Sequence, residues 1–385
     1  MSSSDRPLPS EPPQSAQEAI AVAIAPPAFP ILTVLLLLVL CAVFAAEIVY
    51  GVGPPTDLMQ PTIATLVAFG GLSKDLVFGS DEWYRLLSAP FLHASAPHLA
   101  MNAFALFIAG RTMERLIGRA WFGALYAASA LTGSVLSLEL NPPSIVGVGA
   151  SGAIMGLFAA MLVISMHFPS GPVRSALRSN AFYVLIPSLL PLANAMQGQK
   201  VDYAAHAGGA IGGVVVGLVM LAIWPRREPI PRLRPVAATI ALAGVVALAY
   251  PIRSILAGYE AATFTTRLIP ADTYPKNGAE MRARAPQLIA QYPHDPRPRF
   301  TTAAASLDAR DFAGAEREAR AGLAEENLWH SVLPPQVGNG LRTFLAVAIS
   351  RDRPEEALAT ARPVCETVKD GPMRKMLDDR KLCRM

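Results

Sequence analysis

Gly147-Val148-Gly149-Ala150-Ser151-Gly152-Ala153-Ile154-Met155-Gly156 opens one long apolar run, and Ala205-His206-Ala207-Gly208-Gly209-Ala210-Ile211-Gly212-Gly213 opens another. The first run puts a hydroxyl, and the second an imidazole, at the head of a stretch apolar enough to lie in lipid. Polar and ionisable groups in a bilayer are costly, so each is a functional hypothesis by default. A nucleophile and a base in membrane point to chemistry carried out inside the bilayer.

Outward from these runs the chain reads as membrane protein. Of 385 residues 52% are hydrophobic and 16% charged, against about 25% charged in soluble domains. Charges are missing from 31–46, 120–138, 144–173, 181–199, 203–225 and 235–252, windows close to the roughly 17 to 25 residues of a spanning helix. A shorter, more polar span, 97–110, carries His98 and Asn102 and is expected to sit against other helices. The fold class is therefore all-α: a polytopic membrane bundle of seven spans, with a small α-helical C-terminal domain.

Orientation follows from the short loops. Arg111, Arg115, Arg119, Arg174, Arg178, Arg226, Arg227, Arg232 and Arg234 fall on one side, and Lys74, Arg85 and Lys200 on the other. The arginine-rich side is expected to be cytoplasmic. With an odd number of spans the N-terminus is inside and everything beyond about residue 253 is outside. The net charge of +4 reflects this bias; no basic, aromatic-interleaved stripe suggests a nucleic-acid partner.

Four regions result. Residues 1–30, rich in Ser, Pro, Ala and Gln, read as a disordered tail without a cleavable signal. Residues 31–225 hold the first six spans, and 226–253 an arginine-rich loop and the seventh span. Residues 254–385 read as an exported helical domain. The segment 51–97 is too long for a passive connection and is expected to fold on or into the outer leaflet. In the exported domain, Arg310 to Ala315 with Ala319, and Asp352 to Ala357 with Ala361, resemble each other. Small residues four apart suit tetratricopeptide-type helix hairpins, although the interval from Ala315 to Ala357 exceeds the roughly 34 residues of that repeat. An irregular helical bundle is the close rival, and in either case the domain is expected to hold a protein partner or pack on the core. Cys41 reads as a small buried hydrophobe. Cys365 and Cys383 are either a disulfide in an oxidising compartment or two unrelated thiols.

Amide hydrolysis needs a nucleophile, a base and donors aimed at the developing oxyanion. Ser151 lies among Gly147, Gly149 and Gly152 as a helix begins, where free backbone amides and the helix dipole favour negative charge. His206 can take the serine proton. Asp202, one turn earlier, reads as a helix cap first and a modulator second. His98 and Asn102 share one helix face and can complete an oxyanion hole. A zinc site with His93 is disfavoured: the HExxH spacing is absent and no carboxylate lies near these histidines within the spans. No metal or cofactor is expected. Gly209, Gly213 and Gly217 form a small-residue face able to meet Ser151, Gly152 and Gly156 of the fourth span, bringing Ser151 to His206.

Taken together, Trp83 and Arg85 with Phe91-Leu92-His93, His98 and Asn102, Gly110 with Glu114, Gly149-Ala150-Ser151-Gly152, and Ala205-His206 with Gly209 and Gly213 resemble the rhomboid intramembrane serine proteases. The match covers about residues 30–225. The resemblance implies a rhomboid-like six-helix core with Ser151 as nucleophile, His206 as general base, and an oxyanion hole of His98, Asn102 and the Ser151 amide in a water-filled outer cavity. It implies structural roles for Arg85 in the first loop and Glu114 at the cytoplasmic end of span 2. Met155 stands where the family usually has an aromatic that packs on the base histidine; a thioether can pack there too.

The expected activity is serine endopeptidase cleavage of transmembrane protein substrates in or near the outer leaflet of a lipid bilayer, with a bacterial inner membrane as the expected location. Substrates are expected to carry helix-weakening residues near the cut, because a helix hides its amides. The rivals are a rhomboid-like protein that binds membrane clients without cutting them, and a transporter, for which inverted repeats and a midplane site are expected.

Overall fold

The computed structural model describes residues 29–53, 59–190, 201–330 and 332–383. The tail expected over 1–30 lies outside them except for its last two residues, as does the stretch 191–200 at the end of the expected fifth span. The described chain is all-helical. In chain order the helices are α1 (Ile31–Val49), α2 (Ile63–Ala68), α3 (Lys74–Ser80), α4 (Arg85–Ser88), α5 (Ala96–Leu140), α6 (Ser151–Ile164), α7 (Pro172–Leu189), α8 (Tyr203–Ile223), α9 (Arg234–Ala247) and α10 (Ala249–Phe264). The C-terminal part adds α11 (Gly278–Gln291), α12 (Pro296–Asp308), α13 (Phe312–Leu323), α14 (Glu326–Trp329), α15 (Pro335–Ile349), α16 (Pro354–Thr367) and α17 (Pro372–Asp379). Four helical stretches among the described residues are long and apolar enough to cross a membrane: Ile31–Val49, Ala96–Leu140, Tyr203–Ile223 and Arg234–Arg267.

The stretches expected as spans 2 and 3 are two limbs of α5. They meet at Gly118, whose φ of 78° and ψ of 161° break the helix, a conformation open to glycine at little cost. The arginines expected in a loop there, Arg111, Arg115 and Arg119, are on helix instead. The helix of the expected fourth span is shorter than its charge-free window, because the Gly147–Ala150 segment is not helical and α6 passes into a 3₁₀ turn at Ser165. Cys41 is exposed on α1. In a bilayer that is a lipid-facing position, and a small apolar side chain is as acceptable there as in a core.

The chain forms two compact units. The first comprises residues up to Phe44, Ala89–Phe91 and Ala96–Ala247. Its core is built from α5, α6 and α8, with Leu106, Met113, Phe122, Leu125, Ile154, Leu157, Phe158 and Met161 almost fully buried. Glu114 ties α5 to the start of α1. Its side chain, 3% exposed, accepts hydrogen bonds on the carboxylate from Leu32 N (3.0 Å), Thr33 N (2.8 Å) and Thr33 Oγ1 (2.8 Å). These amides belong to the first turn of α1, which has no intrahelical acceptor for them, and negative charge is favoured at that end. Glu114→Ala leaves the three donors buried and unpaired and is expected to cost about 3 kcal/mol. Thermal unfolding in detergent checks this, with the conservative Glu114→Gln expected to lose much less; equal stability of Glu114→Ala and the native chain would contradict the capping role.

The second unit comprises Ala45–Ser88, Leu92–Ser95 and Leu248–Met385. Arg85 organises its loop region: the buried guanidinium donates from Nη1 to Val67 O (2.7 Å) and Gly71 O (2.8 Å), and pairs with Glu82. Helix α10 packs on the same region. Tyr259 Oη donates to Tyr50 O (2.8 Å), the Phe69 and Tyr259 rings meet edge to face at 6.1 Å, and Tyr84 meets Tyr250 at 5.9 Å. In the C-terminal helices Ala315, Ala319, Ala357 and Ala361 are all fully buried, around Trp329, Leu341 and Val364. Cys365 and Cys383 form a disulfide, with Cα atoms 5.5 Å apart.

Candidate active site

Ser151 is the first residue of α6. Among the described residues no side chain caps this helix, whereas Asp202 caps α8 by accepting from Ala205 N at 2.9 Å. The first amides of α6 thus remain available to an external anion. The approach to Ser151 is set by Gly149, held at φ 124° with its N–H donated to Ala89 O at 3.0 Å. A Cβ at Gly149 would lie 2.9 Å from His98 Cε1, 3.0 Å from His98 Nε2 and 3.5 Å from Asn102 Nδ2. Both side chains of the α5 face are therefore packed against the backbone two residues before Ser151.

His206 arrives on α8, and glycine contacts set its position. A Cβ on Gly209 would overlap the Gly152 carbonyl, and one on Gly213 the Gly156 carbonyl. Gly152 in turn lies against Ala205 O, with 3.0 Å to a built Cβ. The neighbours of Ser151 and His206 are thus in backbone contact. A second stripe on α8 escaped the sequence reading: a Cβ on Gly208 or Gly212 would collide with Thr132 of α5. The doublets Gly208-Gly209 and Gly212-Gly213 carry that signal, since they supply two adjacent faces and let α8 wedge between α5 and α6.

His206 is 8% exposed, and its Nδ1 lies 2.8 Å from Ser188 O. A carbonyl oxygen only accepts, so Nδ1 carries the hydrogen and the neutral ring keeps its lone pair on Nε2. Ser188 was not anticipated. Its carbonyl is left over by the helix because α7 stops at Leu189, where Leu190 turns extended (φ −105°, ψ 144°), as expected of a residue preceding proline. The Tyr203 ring stands edge-on to the imidazole at 6.4 Å. Asp202 is occupied elsewhere: besides its cap bond it accepts from Ser137 Oγ at 2.6 Å.

The remaining motif residues are at a distance from this chemistry in role. Trp83 is exposed and meets Phe78 edge to face at 5.4 Å. Arg85 and Glu114 make the structural contacts described above. His93 is fully buried, and its main-chain N–H donates to the Glu47 carboxylate of α1, at 3.3 and 3.4 Å from the two oxygens, so that, contrary to the sequence expectation, a carboxylate of the first span does lie beside one of the histidines. Met155 is buried in the core one turn after Ser151.

Comparison with known proteins agrees with the resemblance. The model of the Rhomboid domain matches residues 80–223. The chain is 35% identical over 150 residues to Rhomboid protease GluP of Bacillus subtilis, covering 39% of this chain and 28% of that protein. It is 32% identical over 212 residues to Rhomboid protease AarA of Providencia stuartii, covering 50% of this chain and 73% of that protein. It is 31% identical over 155 residues to Putative rhomboid protease YdcA of Bacillus subtilis, covering 40% and 75%. The chain spans only 28% of GluP and 41% of RHOMBOID-like protein 4 of Arabidopsis thaliana. The matched region holds α5, α6 and α8 with their interlocking glycines, and AarA and YdcA are covered over most of their length. With its apolar helices, the chain is an integral membrane protein that belongs to the rhomboid family.

Proposed function

We propose that the protein is an intramembrane serine endopeptidase that cuts transmembrane proteins through a Ser151–His206 dyad. The observation that carries this reading is the Ser188 carbonyl on His206 Nδ1. It leaves the lone pair of a base on Nε2, on a helix whose Gly209 and Gly213 pack against Gly152 and Gly156 of α6.

His206 Nε2 takes the proton of Ser151 Oγ as Oγ attacks the scissile carbonyl carbon. The resulting oxyanion is met by the Ser151 N–H at the uncapped helix start and by donors from His98 and Asn102. His206 then gives the proton to the leaving amine, which departs with one half of the substrate. Water, activated by the same imidazole, hydrolyses the acyl-serine and frees the other half. Asp202 acts as helix cap, and Trp83, Arg85, Glu114, Gly149, Gly152, Gly209 and Gly213 hold the scaffold. The N-terminus is cytoplasmic and the C-terminal unit extracytoplasmic, in a bacterial inner membrane. The Cys365–Cys383 disulfide favours that side, since such bonds persist in oxidising compartments. The C-terminal helices are read as tetratricopeptide-like.

A fluorophosphonate, which reacts with base-activated serines, tests the pairing. Incubated with the purified protein in lipid, it is expected to modify the peptide containing Ser151, and to do so at least ~100-fold more slowly in His206→Ala. Modification of a different serine, or equal labelling of the variant, would contradict the dyad.

A further inference from the structure

The second compact unit contains a cavity of about 490 Å³ between α14 and α15, within the roughly 300–1,000 Å³ range of small-ligand sites. Nothing in the proposed chemistry uses it. We infer that it binds an uncharged, extended peptide segment, and that in this protein the segment is the exported flank of a transmembrane substrate.

The ligand class follows from the lining. Arg342 is the cation at the wall, but its guanidinium is engaged fork to fork: Nη1 donates to Glu326 Oε1 at 2.6 Å and Nη2 to Oε2. An anionic ligand would meet the Glu326 carboxylate and a cationic one the guanidinium, so a charged group gains little there. Gly338 permits the closeness of this pair to the floor. A Cβ at that position would lie 2.7 Å from Glu326 Oε1 and 3.4 Å from Trp329 Cη2. The Trp329 side chain, 1% exposed, gives the cavity an apolar wall.

Two carboxamides border the same space, Asn327 and Asn339. Among the described residues neither side chain makes a hydrogen bond, although the main-chain carbonyl of Asn339 accepts from Thr343 Oγ1. Each carboxamide offers a donor and an acceptor, the complement of the C=O and N–H of one peptide unit. His330 adds an acceptor: its Nδ1 lies 3.1 Å from Asn327 O and 3.2 Å from Glu326 O, which leaves the lone pair on Nε2. A neutral pair, an indole wall and unspent amides suit peptide backbone with small or apolar side chains.

The identity of the peptide as substrate rests on the protease reading; the site itself does not. Helix α14 packs against α10, whose Tyr259 and Tyr250 hold the loop region of the same unit. A substrate flank captured here raises the effective concentration of its attached transmembrane segment.

The test uses two reporters with one shared transmembrane segment, one of them extended by an exported tail of Ser, Thr, Ala, Leu and Tyr. Binding to the full-length Ser151→Ala protein in lipid is measured by fluorescence anisotropy. The tailed reporter is expected to bind at least ~10-fold more tightly, about 1.4 kcal/mol. That gain is expected to vanish in Ser151→Ala carrying Asn327→Ala and Asn339→Ala, and also when Gly338→Leu fills the cavity. Unfolding temperature checks that each variant is folded. Aspartates interspersed in the tail are expected to remove the gain as well. A gain that survives the double asparagine change in a folded protein, no gain from the tail, or an undiminished gain with the acidic tail overturns the proposal. Cleavage of both reporters by the unmutated protein is followed separately, so failure of the protease reading shows as absent cleavage while binding is still measured.

Discussion

Turnover of a single-span reporter is expected to fall by at least ~10³-fold in Ser151→Ala, about 4 kcal/mol of transition-state stabilisation, and by a similar factor in His206→Ala. Nucleophile and base act as one unit, so the double variant is expected to be no slower than either single one. Asp202→Asn gives the contrast. In a triad, loss of the acid costs about 10⁴-fold. Here Asp202 holds Ala205 N and Ser137 Oγ, and the tautomer of His206 is set by Ser188 O. Less than ~10-fold is therefore expected from Asp202→Asn, because a carboxamide oxygen can still accept at the cap. A loss near 10⁴-fold would mean that the carboxylate, and not the Ser188 carbonyl, orients the base.

The second large effect concerns the helix interface. A methyl on Gly209 meets the Gly152 carbonyl, and one on Gly213 the Gly156 carbonyl. Backbone cannot yield as a flexible side chain does, so α8 must move away from α6. Overpacking of this kind costs typically 1–3 kcal/mol and occasionally more; about 3 kcal/mol is expected for Gly209→Ala. Activity is expected to fall further than stability, since the shift separates Ala205-His206 from Ser151-Gly152. Gly258 on α10 is the matched control, with none of the described residues within 4 Å of a built Cβ. Gly258→Ala is expected to be neutral or to stabilise by up to ~1 kcal/mol through helix propensity. Thermal unfolding of the purified variants checks both, and an unchanged Gly209→Ala protein would mean that α6 and α8 do not approach this closely.

Much of the candidate site was legible because its signals are local. Ser151 at a helix start, Asp202 as a cap and the glycines at 209 and 213 all follow from residue type and short spacing. What escaped the reading depends on contacts made at a distance. Glu114 caps α1 from 81 and 82 positions away along the chain, and no local pattern names such a partner. The Ser188 carbonyl reaches His206 across 18 positions, and it is free because α7 ends before Pro191. Pro191 marks that end in the sequence, whereas the charge-free window 181–199 runs straight through it. Absence of charge marks what lipid tolerates, whereas helix ends are set by backbone geometry. The same distinction explains α5, where an arginine-bearing segment stays helical up to a single glycine at positive φ, Gly118. Exposure of Cys41 reflects another limit: an apolar residue on a spanning helix is as well placed against lipid as in a core.

The most direct test of the central claim is the mass of the products released from a single-span reporter by the purified protein in lipid vesicles. The account predicts two fragments whose new termini lie in or beside the outer part of the span, formed by the native chain and absent with Ser151→Ala. An intact reporter after prolonged incubation with folded native protein, across reporters bearing Gly or Pro in the span, would contradict it. So would identical fragments from the Ser151→Ala protein.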